Sequence, residues 1–330
     1  MEVKEFIAEL EIRLDQFLSQ KLDESRNQIE QLIKKGCVEV IGKAKTKTGL
    51  KLKSGDKIIV SFPKVEEEKF DKEAFLKDSS WAKEIEIVFE DEYFMVLNKP
   101  SGVVVHDAPS VKEATLVDWL KFKGVSLSTI SAEVRHGIVH RLDKGTSGLI
   151  VIAKTNEAHE NLALQLQDKS MGRYYLAFID LHLKEDLTII EKPIGRNPNN
   201  RLKMGIVSNG KTAKTAFKKI GLSKNEKYEL IAAKLFTGRT HQIRVHLESI
   251  NRHILGDPLY GFKGNLDKFK RVYLHAFGLY LKHPITNEAM SFCAKLPKDM
   301  DEFYFNYFNE EDYEQKVNLH FISNCFNSTI

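Results

Sequence analysis

The sequence is short of cysteine, of long apolar runs and of net charge, and each shortage excludes something. Its three cysteines, Cys37, Cys293 and Cys325, are odd in number and lie far apart in 330 residues. That argues against a disulfide framework or a zinc knuckle and fits a reducing cytoplasm. No uncharged apolar stretch approaches the roughly 18–20 residues of a membrane helix. Met1-Glu2-Val3-Lys4-Glu5 opens with mixed charge and no apolar core, so no secretory signal is expected. Hydrophobic and charged fractions of 42% and 29% are ordinary, which excludes wholesale disorder and fibrous coils. No internal repeat of useful period is visible. At this length two domains are expected rather than one.

Net charge is low as well, at +4 from 50 basic and 46 acidic residues, too little by itself to announce a nucleic-acid partner. The total conceals strong local imbalance. Residues 1–25 carry −4, 26–57 carry +6, 64–92 carry −6, 93–298 carry +14 and 299–330 carry −6.

Residues 12–62 read as a small module. Leu14, Phe17, Leu18 and Leu22 recur at helical spacing, with Asp15 placed to act on the helix start. Ser25 is the candidate N-cap of a second helix, Ile29, Leu32 and Ile33 are its apolar stripe, and Gly36 is its stop. Cys37–Ile41 and Lys57–Ser61 read as strands, and Gly55-Asp56 as a turn. The basic residues Arg26, Lys34 and Lys35 lie on or beside the second helix, whose apolar stripe points the other way. A basic helix face of this kind suits RNA phosphates. The module resembles the S4 RNA-binding domain, through Arg13-Leu14-Asp15-Gln16-Phe17-Leu18, Ser25-Arg26, Ile33-Lys34-Lys35-Gly36-Cys37-Val38 and Gly55-Asp56. Val40-Ile41-Gly42 departs from the family's usual Val-Asn-Gly and reads as a variant turn.

Residues 63–84, acidic after Pro63, read as a linker. Beyond them, strands are expected at Ile85–Phe89, Phe94–Leu97, Leu149–Ala153, Tyr174–Ile179, Thr215–Ile220, Tyr228–Leu235 and Val272–Leu281, and a helix at Asn156–Asp168. Many strands with few helices between them point to an α+β fold, with a large, mostly antiparallel sheet beside the small module. The expected division is a module at 1–62, a linker at 63–84, a large domain at 85–298 and a tail at 299–330.

Two polar constellations stand out. His140-Arg141-Leu142-Asp143-Lys144-Gly145-Thr146-Ser147-Gly148 is a tight loop ahead of an apolar strand, able to fix Asp143 in one orientation. Thr237-Gly238-Arg239-Thr240-His241-Gln242-Ile243-Arg244-Val245-His246 follows a strand and opens a helix, bringing two arginines towards one place. His241 and His246, five apart and outside an H-E-x-x-H frame, do not stack on one helix face, so metal ligation is not expected. A Gly-rich nucleotide loop and a Ser or Cys nucleophile elbow are likewise missing.

With Asn98-Lys99-Pro100-Ser101-Gly102, Tyr175-Leu176-Ala177, Pro193-Ile194-Gly195-Arg196 and Gly256-Asp257-Pro258-Leu259-Tyr260-Gly261, these segments resemble the RluA-type family of RNA pseudouridine synthases, in the family's order. The resemblance runs from the S4 module to about Pro297. It implies that Asp143 is the catalytic carboxylate, acting on C1′ or on the 2′ proton, that Arg244 pairs with it, and that Tyr175 stacks on the flipped base and is the candidate base for the C5 proton. His140, Arg141 and Arg239 are candidate phosphate or base-filling groups. The resemblance implies an isomerisation, which would need no cofactor and no metal. It also implies, through the S4 appendage, large-subunit ribosomal RNA as partner. A tRNA target and an inert RNA-binding assembly factor are the alternatives, with a hydrolase the weaker rival.

Overall fold

The computed structural model describes residues 2–22, 26–34, 36–43, 46–62, 71–107, 111–129, 136–266 and 268–327. The chain divides into two units, Met1–Phe70 and Asp71–Ile330.

In the first unit the two apolar stripes face one another. Leu14, Phe17 and Leu18 of helix Leu14–Leu22 meet Ile29 and Ile33 of helix Arg26–Lys34, and Val38, Val40, Ile58 and Val60 complete the core. The second helix ends where expected. Gly36 adopts φ +72°, and Cys37 N–H reaches back to Leu32 O at 3.0 Å, satisfying a carbonyl that the helix end would orphan. Ile41 N–H bonds Lys57 O at 2.9 Å and Gly42 takes φ +80°, so the variant turn closes as a turn should. Asp15 is gripped through both oxygens by Arg13 at 2.9 and 3.0 Å, and this hydrogen bonding holds its carboxyl below the usual range. The strand Glu2–Ile7, which the charged N-terminus did not suggest, pairs antiparallel with Lys57–Phe62. The positions of Ser25 and Lys35 and the side chain of Arg26 lie outside the described residues.

Among the described residues of the second unit, nine strands form one sheet. Its order is Leu187–Glu191, Lys214–Leu222, Glu229–Leu235, Gly172–Ile179, Leu274–Lys282, Ser147–Ala153, Phe94–Lys99, Glu86–Glu90, and Ala289–Cys293 also pairs with Leu274–Lys282. Every neighbouring pair is antiparallel except Leu274–Lys282 with Ser147–Ala153. That parallel contact depends on Gly148. With φ +111° and a built Cβ that would stand 2.3 Å from Ala276 O, no other residue lets these backbones approach. The fold is thus α+β with a mostly antiparallel sheet, as its strand-rich pattern required.

The linker expectation needs correction. Residues 63–70 are outside the described residues, but 71–84 belong to the second unit and contain helices Lys72–Asp78 and Ser80–Glu84. Leu76 is buried in the large core, and Trp81 and Ala82 pack against it, so the scattered charges there hide an apolar face. The acidic tail is structural too. Phe303 meets Phe178 with ring centroids 4.9 Å apart, and Phe326 stacks on Tyr174. Tyr174 and Phe178 alternate with Arg173 and Tyr175 along one strand, so the tail covers one face of the sheet and leaves the other for Arg173 and Tyr175.

Candidate active site

On that other face a cavity of about 740 Å³ is lined by Asp143, Tyr175 and Arg244, together with His140, Arg141, Arg173 and Arg239. Segments spread over a hundred residues meet there.

Asp143 sits in the loop that leads into strand Ser147–Ala153, its side chain 18% exposed. A neighbouring loop clasps its own. Gly102 N–H donates to Lys144 O at 2.7 Å and Ser101 Oγ to Gly145 O at 2.9 Å. The clasp is itself tied down by Lys99. That ammonium is fully buried and donates to Pro100 O at 2.8 Å and Val103 O at 3.0 Å. Burial first, and then repulsion from Arg271, pull its pKa down to about 7.

Arg244 stands on the short helix Gln242–Glu248 and reaches Asp143 Oδ2 through Nη1 at 3.3 Å. Its tighter partner is Asp257, bound in a two-pronged pair at 2.7 and 2.8 Å. Asp257 is fully buried, and Leu259 and Tyr260 N–H also donate to its Oδ1. Burial works against the Arg244 charge, but Asp257 and then Asp143 outweigh it, so the guanidinium pKa lies above its ordinary value. Tyr260 packs under the guanidinium, 4.7 Å from Cζ to ring centroid. Arg244 is therefore braced from behind and presents one nitrogen forward. Asp257 was visible in its sequence motif but carried no role there. Its partner lies thirteen residues away, and no local pattern announces such a pair.

Gln242 fixes the loop ahead of this helix. It donates to Lys214 O and Thr215 Oγ1 and accepts from Thr237 Oγ1 and Arg239 N–H, so every hydrogen-bonding position of its amide is used. His241, at φ +57°, lies 3.8 Å from Asp143 Oδ2 through Nε2, while its Nδ1 meets Tyr260 Oη at 2.7 Å. Tyr260 Oη accepts from Met204 N–H, which leaves its own proton for His241 Nδ1. Burial pushes the His241 pKa down despite Asp143, so the ring is neutral with its proton towards the carboxylate. His246 is taken up by Thr215 Oγ1 and Lys192 O.

Tyr175 lies on strand Gly172–Ile179, opposite Ala233 and Ala276, and these small neighbours leave its ring room on the cavity wall. Burial pushes its phenol up, partly countered by Arg173 and reinforced by Asp143. A phenol with a raised pKa holds its proton, which argues against Tyr175 as a free base in the resting enzyme.

The expected RNA contacts divide. Arg141 is exposed at the cavity, with Nη1 3.3 Å from His106 Nε2, and Arg239 donates Nε–H to Thr212 O on its wall. Both remain within reach of a ligand in the cavity. His140 does not fit a phosphate contact through charge. Its Nε2 accepts Val151 N–H at 3.1 Å, and burial drives its pKa down to about 3, leaving an uncharged ring built into the sheet. In the small unit, Lys34 is exposed and paired with Glu30 at 2.9 Å.

Residues 93–249 match the RNA pseudouridylate synthase family and residues 12–58 the S4 domain. An uncharacterized RNA pseudouridine synthase of Helicobacter pylori is 47% identical over 95% of both chains. The ribosomal large subunit pseudouridine synthase D of Zymomonas mobilis is 40% identical, over 87% of this chain and 91% of its own. Among solved structures, human RNA pseudouridylate synthase domain containing 1 shares the fold with a TM-score of 0.55 at 24% identity, over 71% of this chain and 94% of that one. The cavity, with its acid braced by an arginine, therefore lies in a chain that belongs to the RNA pseudouridine synthases and carries an S4 domain.

Proposed function

We propose that the enzyme converts a uridine of large-subunit ribosomal RNA to pseudouridine, with Asp143 as the catalytic carboxylate. The observation that carries this is the line Asp257–Arg244–Asp143, ending in a cavity walled by Tyr175. Breaking the N1–C1′ bond leaves positive character at C1′, and a carboxylate aimed by an arginine suits that charge, as in glycoside chemistry. Asp143 then either bonds to C1′ or removes the 2′ proton. Replacing hydrogen by deuterium at C2′ separates the two, because only the second breaks that bond. Tyr175 supplies a ring for the base to stack on once it leaves the RNA helix, an unstacking of about a few kcal/mol. Arg141 and Arg239 serve the phosphates or fill the space the base vacates.

The large-subunit target rests on the ribosomal relative named above and on the S4 unit, whose basic residues Arg26, Lys34 and Lys35 would follow the backbone. Residues 1–62 are on this reading an RNA-binding domain and 85–298 the catalytic domain, working on ribosomal RNA in the cytoplasm. Among the described residues no helix is long and apolar enough to cross a membrane. Pseudouridine mapping of cellular rRNA and tRNA, with and without the protein, tests the target. Loss of a site in tRNA alone would replace the ribosomal assignment. Asp143→Asn should abolish product and leave RNA binding largely intact, and retained turnover would remove Asp143 from its role.

A further inference from the structure

Arg173 shares the cavity face of its strand with Tyr175, two residues away, and is only 7% exposed. Among the described residues its Nε has no hydrogen-bond partner and its guanidinium no ion-pair partner. The tip of the guanidinium lies against Gly238, where a Cβ would come within 3.1 Å of Nη1. A second unsatisfied donor lines the same cavity. His140 Nε2 is occupied as an acceptor, so its proton is on Nδ1, and that atom is also buried without a partner. The Arg173 charge is close enough to act on both His140 and Tyr175. Buried donors without acceptors are costly, and a buried cation without a counter-charge more so. At functional sites such groups await a ligand that brings the acceptors.

We propose that Arg173, with His140 Nδ1–H beside it, holds the carbonyl edge of the target uracil and takes up the negative charge left on that base when the N1–C1′ bond breaks. The proposal rests on the uridine-isomerising function above. Same-face residues two apart on a strand are separated by about 6.6 Å, so a base stacked on Tyr175 presents an edge to Arg173. The electron pair of the N1–C1′ bond passes to the uracil, spread over N1, O2 and O4. It returns as the C5–C1′ bond forms, C5 loses its proton and N1 gains one. A donor fixed where that charge develops acts most strongly in a dry site. A backbone phosphate is the competing anion, but depth favours the base.

The test compares wild type, Arg173→Lys and Arg173→Met in single turnover on the RNA segment that mapping identifies. Conversion is read by nucleoside mass spectrometry. Arg173→Met should slow conversion of uridine by about 10²–10³-fold, the usual effect of removing one such donor, with RNA affinity and its salt dependence unchanged. Arg173→Lys should recover part of the rate. The melting temperature of Arg173→Met should hold or rise, since an unpaired buried charge is removed. Weaker binding with a shallower salt slope and a normal rate would make Arg173 a phosphate contact and overturn the proposal. A lowered melting temperature with general loss, or no change, would overturn it too. Asp143→Asn, run in parallel, reports separately on the parent reading.

Discussion

The small unit and the active site use charge in opposite ways. In the small unit Lys34 and Lys57 reach into solvent and pair with Glu30 and Glu5 at 2.9 and 2.8 Å. Exposed pairs of this kind contribute about 0–1 kcal/mol each and are readily exchanged for a phosphate. In the large unit Arg244 and Asp257 are buried, their bonds are short, and no exchange is open to them. On the proposed function, loose charges would serve to find RNA of many shapes, and fixed ones to aim a single carboxylate.

The largest effect should come from breaking the fixed pair. Asp257→Ala strands the Arg244 charge in the interior, which costs about 3–5 kcal/mol in comparable buried pairs. A melting curve should show it, with activity falling as Arg244 turns wholly to Asp143. Unchanged stability would mean that the pair is not under the tension of burial.

Removing residues 1–62 acts on the other side of the comparison. Binding should weaken and its dependence on salt should flatten, because fewer phosphates are neutralised, while turnover at saturating RNA survives. A truncated enzyme that bound as tightly as the full chain would strip the small unit of its RNA role.

Lys99 gives a subtler test through pH. Its pKa falls from 10.5 to about 7 in the fold, so between these values the unfolded chain holds a proton that the folded one has released. Stability from this group therefore rises with pH across that window, and the penalty of the buried charge is complete below pH 7. Unfolding of wild type and Lys99→Met should show the wild type gaining on the variant from about pH 7 towards 10.5. A difference that does not move with pH would refute the assignment. Smallest of all, Lys34→Ala should alter stability by under about 0.5 kcal/mol, while the slope of log affinity against log salt shrinks by about 0.7, one phosphate contact on a single strand.

Local patterns were legible where one segment decides its own fate. The helix Asn156–Asp168 was read closely, because Thr155 accepts from Ala158 N–H at its start and Ala158, Leu162 and Gln165 recur on its buried side. The small unit's core followed from two stripes at helical spacing. Helix Leu116–Phe122 went unread although it had a signal: Thr115 and Asp118 form a reciprocal capping box. The helices at 72–84 and in the tail bury apolar residues in a core built from distant segments, and surrounding acidic residues mask that face.

The sequence by itself determined the family, the α+β class and the candidate pair Asp143 and Arg244, because order and spacing of motifs survive in one dimension. Only the tertiary structure decided that Asp257 holds Arg244, that His140 is an uncharged acceptor for a strand N–H, and that Arg173 stands buried without a counter-charge among the described residues. These are properties of burial and of contacts across the chain. A charged side chain has the same name in water and in a core, and its neighbours decide what it can do.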